Sequence, residues 1–166
     1  MKLKFLILFY SIFFLNSVLA NNLVFIDFNY ILNNSNVGSD IIKKLERINN
    51  ENIRLLKEEQ SELNIQNLEI EKVKNIISNE EFNKKVEILN DKLKKFNLKQ
   101  DQLSKEFKNL RETEINNFIK QINPILTKYM QDNNIDIVIK KEYIYISKSE
   151  LDISDIIINL INKKNN

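Results

Sequence analysis

The 166-residue chain contains no cysteine, histidine or tryptophan, and it has only one glycine and one proline. Without cysteine and histidine there are no disulfides, no thiol nucleophiles, no usual catalytic triads and few options for zinc. A single glycine excludes the phosphate-binding loops that need several. Because glycine and proline make tight turns, their scarcity argues against many short strands. The composition predicts a few long helices and no enzyme.

Paired carboxylates are the remaining acid–base chemistry in the sequence, for instance Glu58-Glu59 and Glu80-Glu81. Both pairs fall on predicted solvated helix faces, where nothing distinguishes the two carboxyl groups from ordinary surface charges. We therefore expect no catalytic site, no metal and no cofactor.

The first twenty residues have the layout of a secretory signal peptide. Lys2 and Lys4 precede an apolar run over residues 5–15, and small residues follow up to Ala20. This pattern predicts cleavage between Ala20 and Asn21, and hence export of the rest. The alternative is an uncleaved membrane anchor, but the run is shorter than the ~20 residues that a spanning helix needs.

The exported chain is predicted to carry no net charge. Removal of Lys2 and Lys4 with the leader leaves 23 of the 25 basic residues, against 23 acidic residues. Nucleic-acid binding draws most of its affinity from a clustered basic surface. No nucleic-acid partner is therefore expected.

Apolar residues recur at helical spacing between Gly38 and Tyr129, a span interrupted only by Pro124. The pattern is a heptad stripe, which predicts a coiled coil. Beyond Leu110 the stripe skips to Phe118, a stutter that locally unwinds such a structure. The stripe consists of Ile41, Leu45, Ile48, Leu55, Leu56, Leu63, Ile70, Val73 and Ile77, then Phe82, Val86, Leu89, Leu93, Phe96, Gln100, Leu103, Phe107 and Leu110.

Ser78 and Glu81 lie between the two halves of the stripe and have the spacing of a helix capping box. They predict the tip of a helical hairpin near residues 78–81. Residues 46–81 carry five basic and nine acidic side chains, whereas residues 84–111 carry nine basic and four acidic ones. Opposite charge on the two arms favours their antiparallel pairing.

Short β-prone runs flank the helical region. Leu23–Asp27 predicts one buried strand, and Ile135–Ile139 with Tyr143–Ile146 predicts a hairpin of strands. A short apolar helix follows, with Asp152 or Ser154 as its cap. Such a body of about fifty residues is marginal alone, so several copies are expected to join.

Gly38 stands where the first strand leads into the first arm. Ser39 or Asp40 is the expected helix cap there. We interpret Gly38 as the junction between body and arm, where a residue without Cβ lets the chain turn.

Two groups of arm side chains allow a binding role. Phe82, Phe96 and Phe107 could form a client-binding stripe, but their seam positions favour coiled-coil core. A run of lysines could contact an anionic membrane surface or lipopolysaccharide, although a solvated face paired with the acidic arm is favoured. These lysines are Lys84, Lys85, Lys92, Lys94 and Lys95.

Several short segments carry a resemblance to a known family: Val24-Phe25-Ile26-Asp27, Asn34-Ser35-Asn36-Val37-Gly38, Ser78-Asn79-Glu80-Glu81, Ile135–Ile139, Tyr143-Ile144-Tyr145 and Leu151–Ile157. In their order and spacing they resemble the Skp/OmpH family of periplasmic chaperones. The resemblance implies a trimer with a small β body, from which three helical hairpins extend around a cavity. It also implies an ATP-independent holdase for unfolded outer-membrane β-barrel proteins. Typical members are strongly basic, and Tyr30 stands where they often have arginine.

The predicted fold is α+β and mostly α, with a signal peptide over residues 1–20, a β-rich trimerisation body over 21–38 and 130–166, and a hairpin over 39–129. The predicted function is that of a periplasmic holdase whose clients contact the inner faces of the arms diffusely. The alternative is a structural coiled-coil protein of the envelope without client activity.

Overall fold

A computed structural model describes residues 22–164 of the chain, so the predicted cleavage site at Ala20 and Asn21 lies outside the described residues. Most of the described chain is helical. The elements in order are β1 (Leu23–Ile26), α1 (Phe28–Asn34), α2 (Asn36–Val73), α3 (Asn79–Asp132), β2 (Ile137–Lys140), two single 3-10 turns (Lys141–Tyr143 and Ser149–Leu151) and α4 (Ser154–Lys164).

Helices α2 and α3 form the long hairpin that the apolar stripe predicts. They contain 38 and 54 residues, which corresponds to about 57 and 81 Å at a helical rise of about 1.5 Å per residue. A short turn after Val73 reverses the chain, and Ser78 then caps α3, its hydroxyl accepting the Glu81 N–H at 3.2 Å. No glycine interrupts either arm beyond the first turn of α2.

The rest of the chain forms a small body around the base of the arms. Strands β1 and β2 pair in parallel, with Leu23 opposite Ile137. On its other side β1 makes a single bridge to Asp152. One apolar cluster joins α1, α2, α3 and α4, and it includes Ile31, Leu32, Ile41, Leu45, Phe118, Ile122, Ile153, Ile157, Ile158 and Ile161. The stutter in the stripe thus falls where α3 leaves the hairpin and enters the body.

The predicted hairpin of strands in the C-terminal part is wrong. Ile137–Lys140 is a strand, but a 3-10 turn over Lys141–Tyr143 follows it, and Tyr143–Ile146 forms no strand. The physical reason is that β2 pairs with β1, far away in the sequence, while the opposite side of β1 is occupied by Asp152. The β-prone run at 143–146 is left without a strand partner among the described residues.

The explanation of Gly38 also needs correction. Helix α2 begins earlier than expected, because Ser35, not Ser39 or Asp40, caps it and accepts the Gly38 N–H at 3.2 Å. Gly38 does not have a positive φ, so it is not needed for a turn. It is needed for a close approach, since a Cβ at this position would lie 2.0 Å from the carbonyl oxygen of Leu32 in α1.

The seven-residue helix α1 was not predicted from the sequence. Its cap is Asp27, whose side chain accepts the Tyr30 N–H at 2.9 Å. For α4, the two residues expected as caps act together. The Asp152 carboxylate accepts the Ser154 N–H at 3.0 Å in the first turn, while Ile153 is the residue that immediately precedes the helix.

The close approach at Gly38 predicts that Gly38→Ala lowers the free energy of unfolding by about 2 kcal/mol, because the added methyl group must separate α1 from α2. Chemical denaturation monitored by circular dichroism measures the change. Ser39→Ala is the matched control in the same helical turn, where alanine is at least as favourable for a helix as serine. Equal stability of the two variants would contradict the proposed role of Gly38.

Candidate functional site

The apolar side chains of the seam are mostly buried by contacts between the two arms themselves. Leu63, Leu89 and Phe96 are 5%, 6% and 6% exposed and form one cluster. Phe107 packs against the body cluster, and Phe82 is half-buried. Phe96 and Phe107 therefore belong to the buried clusters, as their spacing indicates, whereas Phe82 is in neither cluster. Gln100 is the one polar residue in the second half of the stripe, and it is exposed.

Polar contacts between the arms fix their antiparallel register. Lys99 Nζ lies 2.6 Å from Glu59 Oε2, and Lys44 Nζ lies 2.6 Å from Glu114 Oε1. Nearer the tip, Lys92 Nζ donates to Gln66 Oε1 at 2.7 Å. These groups are partly solvated, so each contact stabilises the fold by about 1 kcal/mol at most. Their contribution is mainly to register.

The lysines of the lysine-rich run form fewer ion pairs than the sequence suggested. Among the described residues, Lys84, Lys85 and Lys95 have no ion-pair partner within 4.0 Å. Lys94 is 3.7 Å from Asp91 of its own helix. The expected pairing of these lysines with the acidic arm is therefore wrong for most of them, and they present their charge to solvent.

Several large apolar side chains of the arms point to solvent outside the seam. They are between 44% and 78% exposed, and they are Ile53, Ile65, Leu68, Ile76, Ile88 and Leu98. Single exposed apolar residues are common on protein surfaces. Near the tip, however, Ile88 adjoins a notch of about 410 Å³ between the arms, so that exposed apolar area and a concave surface coincide.

The body has a second exposed apolar surface after β2. Tyr143, Tyr145 and Ile146 are 76%, 103% and 86% exposed. Tyr143 ends the first 3-10 turn, and Tyr145 and Ile146 lie between the two 3-10 turns. All three belong to the stretch that the sequence predicted to be a strand. Within the described residues, no strand pairs with the free edge of β2.

A closed ring of polar contacts holds the base of that exposed stretch. Lys141 Nζ lies 3.2 Å from Asp27 Oδ2 and 3.8 Å from Asp152 Oδ2. The Asp152 carboxylate accepts from the Ser154 N–H and hydroxyl, and the Ser154 hydroxyl oxygen in turn accepts the Asp27 N–H at 2.7 Å. We call Asp27, Lys141, Asp152 and Ser154 the polar ring. It ties the start of α1, the end of β2 and the start of α4 together.

The surroundings of the Asp27 carboxylate alter its titration. The hydrogen bond from the Tyr30 N–H, followed by the hydrogen bond and charge of Lys141, holds the pKa of Asp27 below its ordinary value of 3.8, while burial opposes the shift. On the neighbouring face, the carboxylate of Asp155 raises the pKa of Tyr30. The contacts of Asp27 in the ring thus favour the ionised form of its carboxylate.

The site residues predicted from the sequence lie far apart in the structure. Gly38 lies in the first turn of α2, and Ser78 and Glu81 lie in the first turn of α3 at the other end of the hairpin. The exposed stretch at 143–146 and the polar ring were missed as a site. Aspartate directly after a strand signals a helix cap, but no sequence signal indicates that Lys141 reaches both aspartates.

The part of the chain that the structure describes contains neither a candidate membrane-spanning helix nor a candidate metal cluster. None of its helices combines the length and the apolar character needed to cross a membrane. Within residues 22–164 there is also no cluster of acidic, cysteine or histidine side chains that could hold a metal ion.

A long hairpin with a closed seam and a small body at its base define a mostly helical protein built on an antiparallel pair of long helices. The family model described as outer membrane protein (OmpH-like) matches residues 22–161. The chain therefore belongs to the OmpH-like family, which confirms the resemblance found in the sequence, and this membership supports a chaperone role.

Solved structures confirm the fold. The crystal structure of a candidate outer membrane chaperone (OmpH-like) from Caulobacter crescentus CB15 matches with a TM-score of 0.76 and 15% sequence identity, covering 86% of this chain and 85% of that one. At this identity the likeness concerns the fold. No curated protein sequence matches the chain.

The polar ring predicts how stability depends on pH. Because the folded-state pKa of Asp27 is lowered, the ionised carboxylate stabilises the folded protein above its unfolded pKa, and this stabilisation is lost as the pH falls through the folded pKa. Asp27→Asn keeps an oxygen for the helix cap but loses the charge facing Lys141. We expect it to lower the free energy of unfolding by roughly 0.5–1 kcal/mol at pH 7 and by less near pH 3.

Urea unfolding at both pH values measures this difference. Asp40→Asn, at an exposed aspartate in the first part of α2, is the control for the general effect of removing one negative charge. If Asp27→Asn and the wild type differed equally at pH 7 and pH 3, the ion pair would not contribute as described.

Proposed function

We propose that the protein is an ATP-independent holdase of the periplasm that binds unfolded outer-membrane β-barrel proteins and keeps them from aggregating. Membership of the OmpH-like family supports this proposal. The predicted signal peptide, with cleavage between Ala20 and Asn21, is consistent with export to that compartment. In this proposal the hairpin, residues 39–129, contacts the client, and the body, 21–38 with 130–166, holds the hairpins together.

The observation that carries the proposal is the combination of a closed seam with apolar side chains left exposed along the arms. A coiled coil built only to span a distance needs its seam and a polar surface. Here Ile65, Leu68 and Ile88 are each at least half exposed. Unfolded barrel strands alternate apolar and polar residues and aggregate through unpaired edges, so dispersed weak contacts suit them better than one deep site.

We further propose that three copies assemble through their bodies. The free edge of β2 and the exposed side chains of Tyr143, Tyr145 and Ile146 support this assembly, because a neighbouring copy would pair with the edge and cover the apolar surface. The exposed lysines near the tip would allow weak contact with an anionic membrane surface or lipopolysaccharide. Assembly is the more fundamental of the two, since it brings several arms around one client.

The proposal predicts that the purified protein is a trimer by multi-angle light scattering, and that it suppresses aggregation when a urea-denatured barrel protein is diluted into buffer. The double variant Tyr145→Asp/Ile146→Asp should lose the trimer and most of the suppression, because six buried carboxylates would be unpaired in the interface. The fold of each chain should survive, since both side chains are exposed within one chain.

Leu98→Asp, which places a new charge on the arm instead of the body, is the control and should leave the trimer intact. A trimer without any suppression of aggregation would instead support a structural coiled-coil protein of the envelope. A monomeric wild-type protein would contradict the proposed assembly.

The balanced charge of the exported chain generates a further prediction. Since its 23 basic residues are matched by 23 acidic residues, client binding should change by less than about threefold between low and physiological salt, where a Debye length falls to about 8 Å. Fluorescence titration of a labelled, denatured barrel protein at several salt concentrations measures the slope. A steep loss of affinity would show that the exposed lysines capture acidic clients by charge.

A further inference from the structure

The notch near the hairpin tip combines an apolar floor with an unpaired polar rim. Ile70, Val73 and Leu89 are buried or half-buried and form its floor, and its volume is about 410 Å³. A cavity of about 150 Å³ is enough to hold a benzene ring. The notch is therefore large enough for one large side chain, including an indole, with part of the backbone that carries it.

The rim of the notch carries one negative and one positive side chain that do not form an ion pair with each other. Glu69 from α2 and Lys85 from α3 both line it, yet neither has an ion-pair partner within 4.0 Å among the described residues. Gln66, a further lining residue, is held by Lys92 across the arms. The mouth of the notch thus has one hydrogen-bond acceptor, the Glu69 carboxylate, and one donor, the Lys85 ammonium group. Their two charges sum to zero. A neutral group that offers both an N–H and a C=O is complementary to this rim, and an extended peptide backbone is such a group.

We propose that this notch is a subsite for one aromatic side chain of an extended, uncharged client segment, with the client backbone between Glu69 and Lys85. Ile88, which is 50% exposed at the rim, would cover one face of the ring. The inference rests on the proposed holdase function and gives that diffuse binding one defined contact point. Barrel strands supply suitable segments, because they alternate outward apolar residues with polar ones and carry aromatic residues near both ends.

The absence of tryptophan from the chain allows a direct test with an unlabelled peptide. The probe is an end-blocked, uncharged ten-residue peptide with one tryptophan between alternating serine and valine residues, added to the purified wild-type protein. We expect a blue shift of its fluorescence, and at least about tenfold weaker binding when alanine replaces tryptophan in a competing peptide, since most of an indole's apolar area would be lost.

Ile88→Ser and Leu98→Ser form the matched pair of variants, because both remove an exposed apolar side chain from α3 but only Ile88 lines the notch. Ile88→Ser should weaken peptide binding about fivefold to tenfold through loss of apolar contact, whereas Leu98→Ser should change it less than about twofold. Circular dichroism should show both variants folded. Equal effects of the two substitutions would overturn the subsite, as would equal binding of the tryptophan and alanine peptides.

The same variants separate this inference from the proposed function. If the wild type suppresses aggregation of a denatured barrel protein but the tryptophan peptide does not bind, the holdase function stands and the subsite is overturned. If the peptide binds at the notch but no barrel protein is protected, the notch is a peptide site and the holdase function falls. A lower molar mass for Ile88→Ser than for Leu98→Ser would assign the notch to a contact between copies and overturn the inference.

Discussion

The projecting hairpin depends on one apolar cluster at its base. Phe118 is completely buried there, and the ring of Phe28 meets it edge to face at 5.9 Å. Around this pair, residues from α1, α2, α3 and α4 share a single core. Of the two buried apolar clusters among the described residues, the larger one lies where the arms join the body. Toward the tip, the arms bury only the smaller cluster around Leu63 and Phe96.

This distribution of packing separates the part that stabilises the fold from the part that we propose binds clients. The base is held by apolar burial, by the close approach of α1 to Gly38 and by the polar ring. The distal arms bury a single row of side chains and leave others in solvent. In the proposed function, the arms bind many unfolded sequences, and such binding benefits from weak, repeated contacts. The base, in contrast, has to remain in one conformation so that the arms keep their positions.

The sequence predicts a structural feature well when the feature depends on residues that are close together in the chain. The seam from Phe82 to Leu110 is a periodic pattern, so it predicts a helix and its buried face correctly, and Ser78 marks the start of that helix. The strand hairpin at 143–146 was wrong, because β2 instead pairs with a segment at the other end of the chain. Gly38 was located correctly but explained incorrectly, since a close approach between helices involves Leu32, which only the folded structure brings near.

The same limit applies to the candidate binding surfaces. Periodicity shows which residues leave the seam, and it therefore predicts that Ile88 and Leu98 are exposed. It does not show that Ile88 borders a notch and Leu98 does not, because the notch is lined by residues of both arms. Likewise, Asp27, Lys141 and Asp152 carry ordinary surface charges in the sequence, and only the meeting of both chain ends makes them one ring.

The parallel pairing of Leu23 with Ile137 imposes an order on folding. A chain that enters its compartment N-terminus first presents β1 long before β2 has emerged. Each helix of the arms is built from local contacts, which form fastest, whereas the sheet closes one of the longest loops in the molecule. We therefore expect the helices to form while β1 is still unpaired. A chain truncated before residue 137 lacks β2, so β1 has no strand to pair with in this sheet.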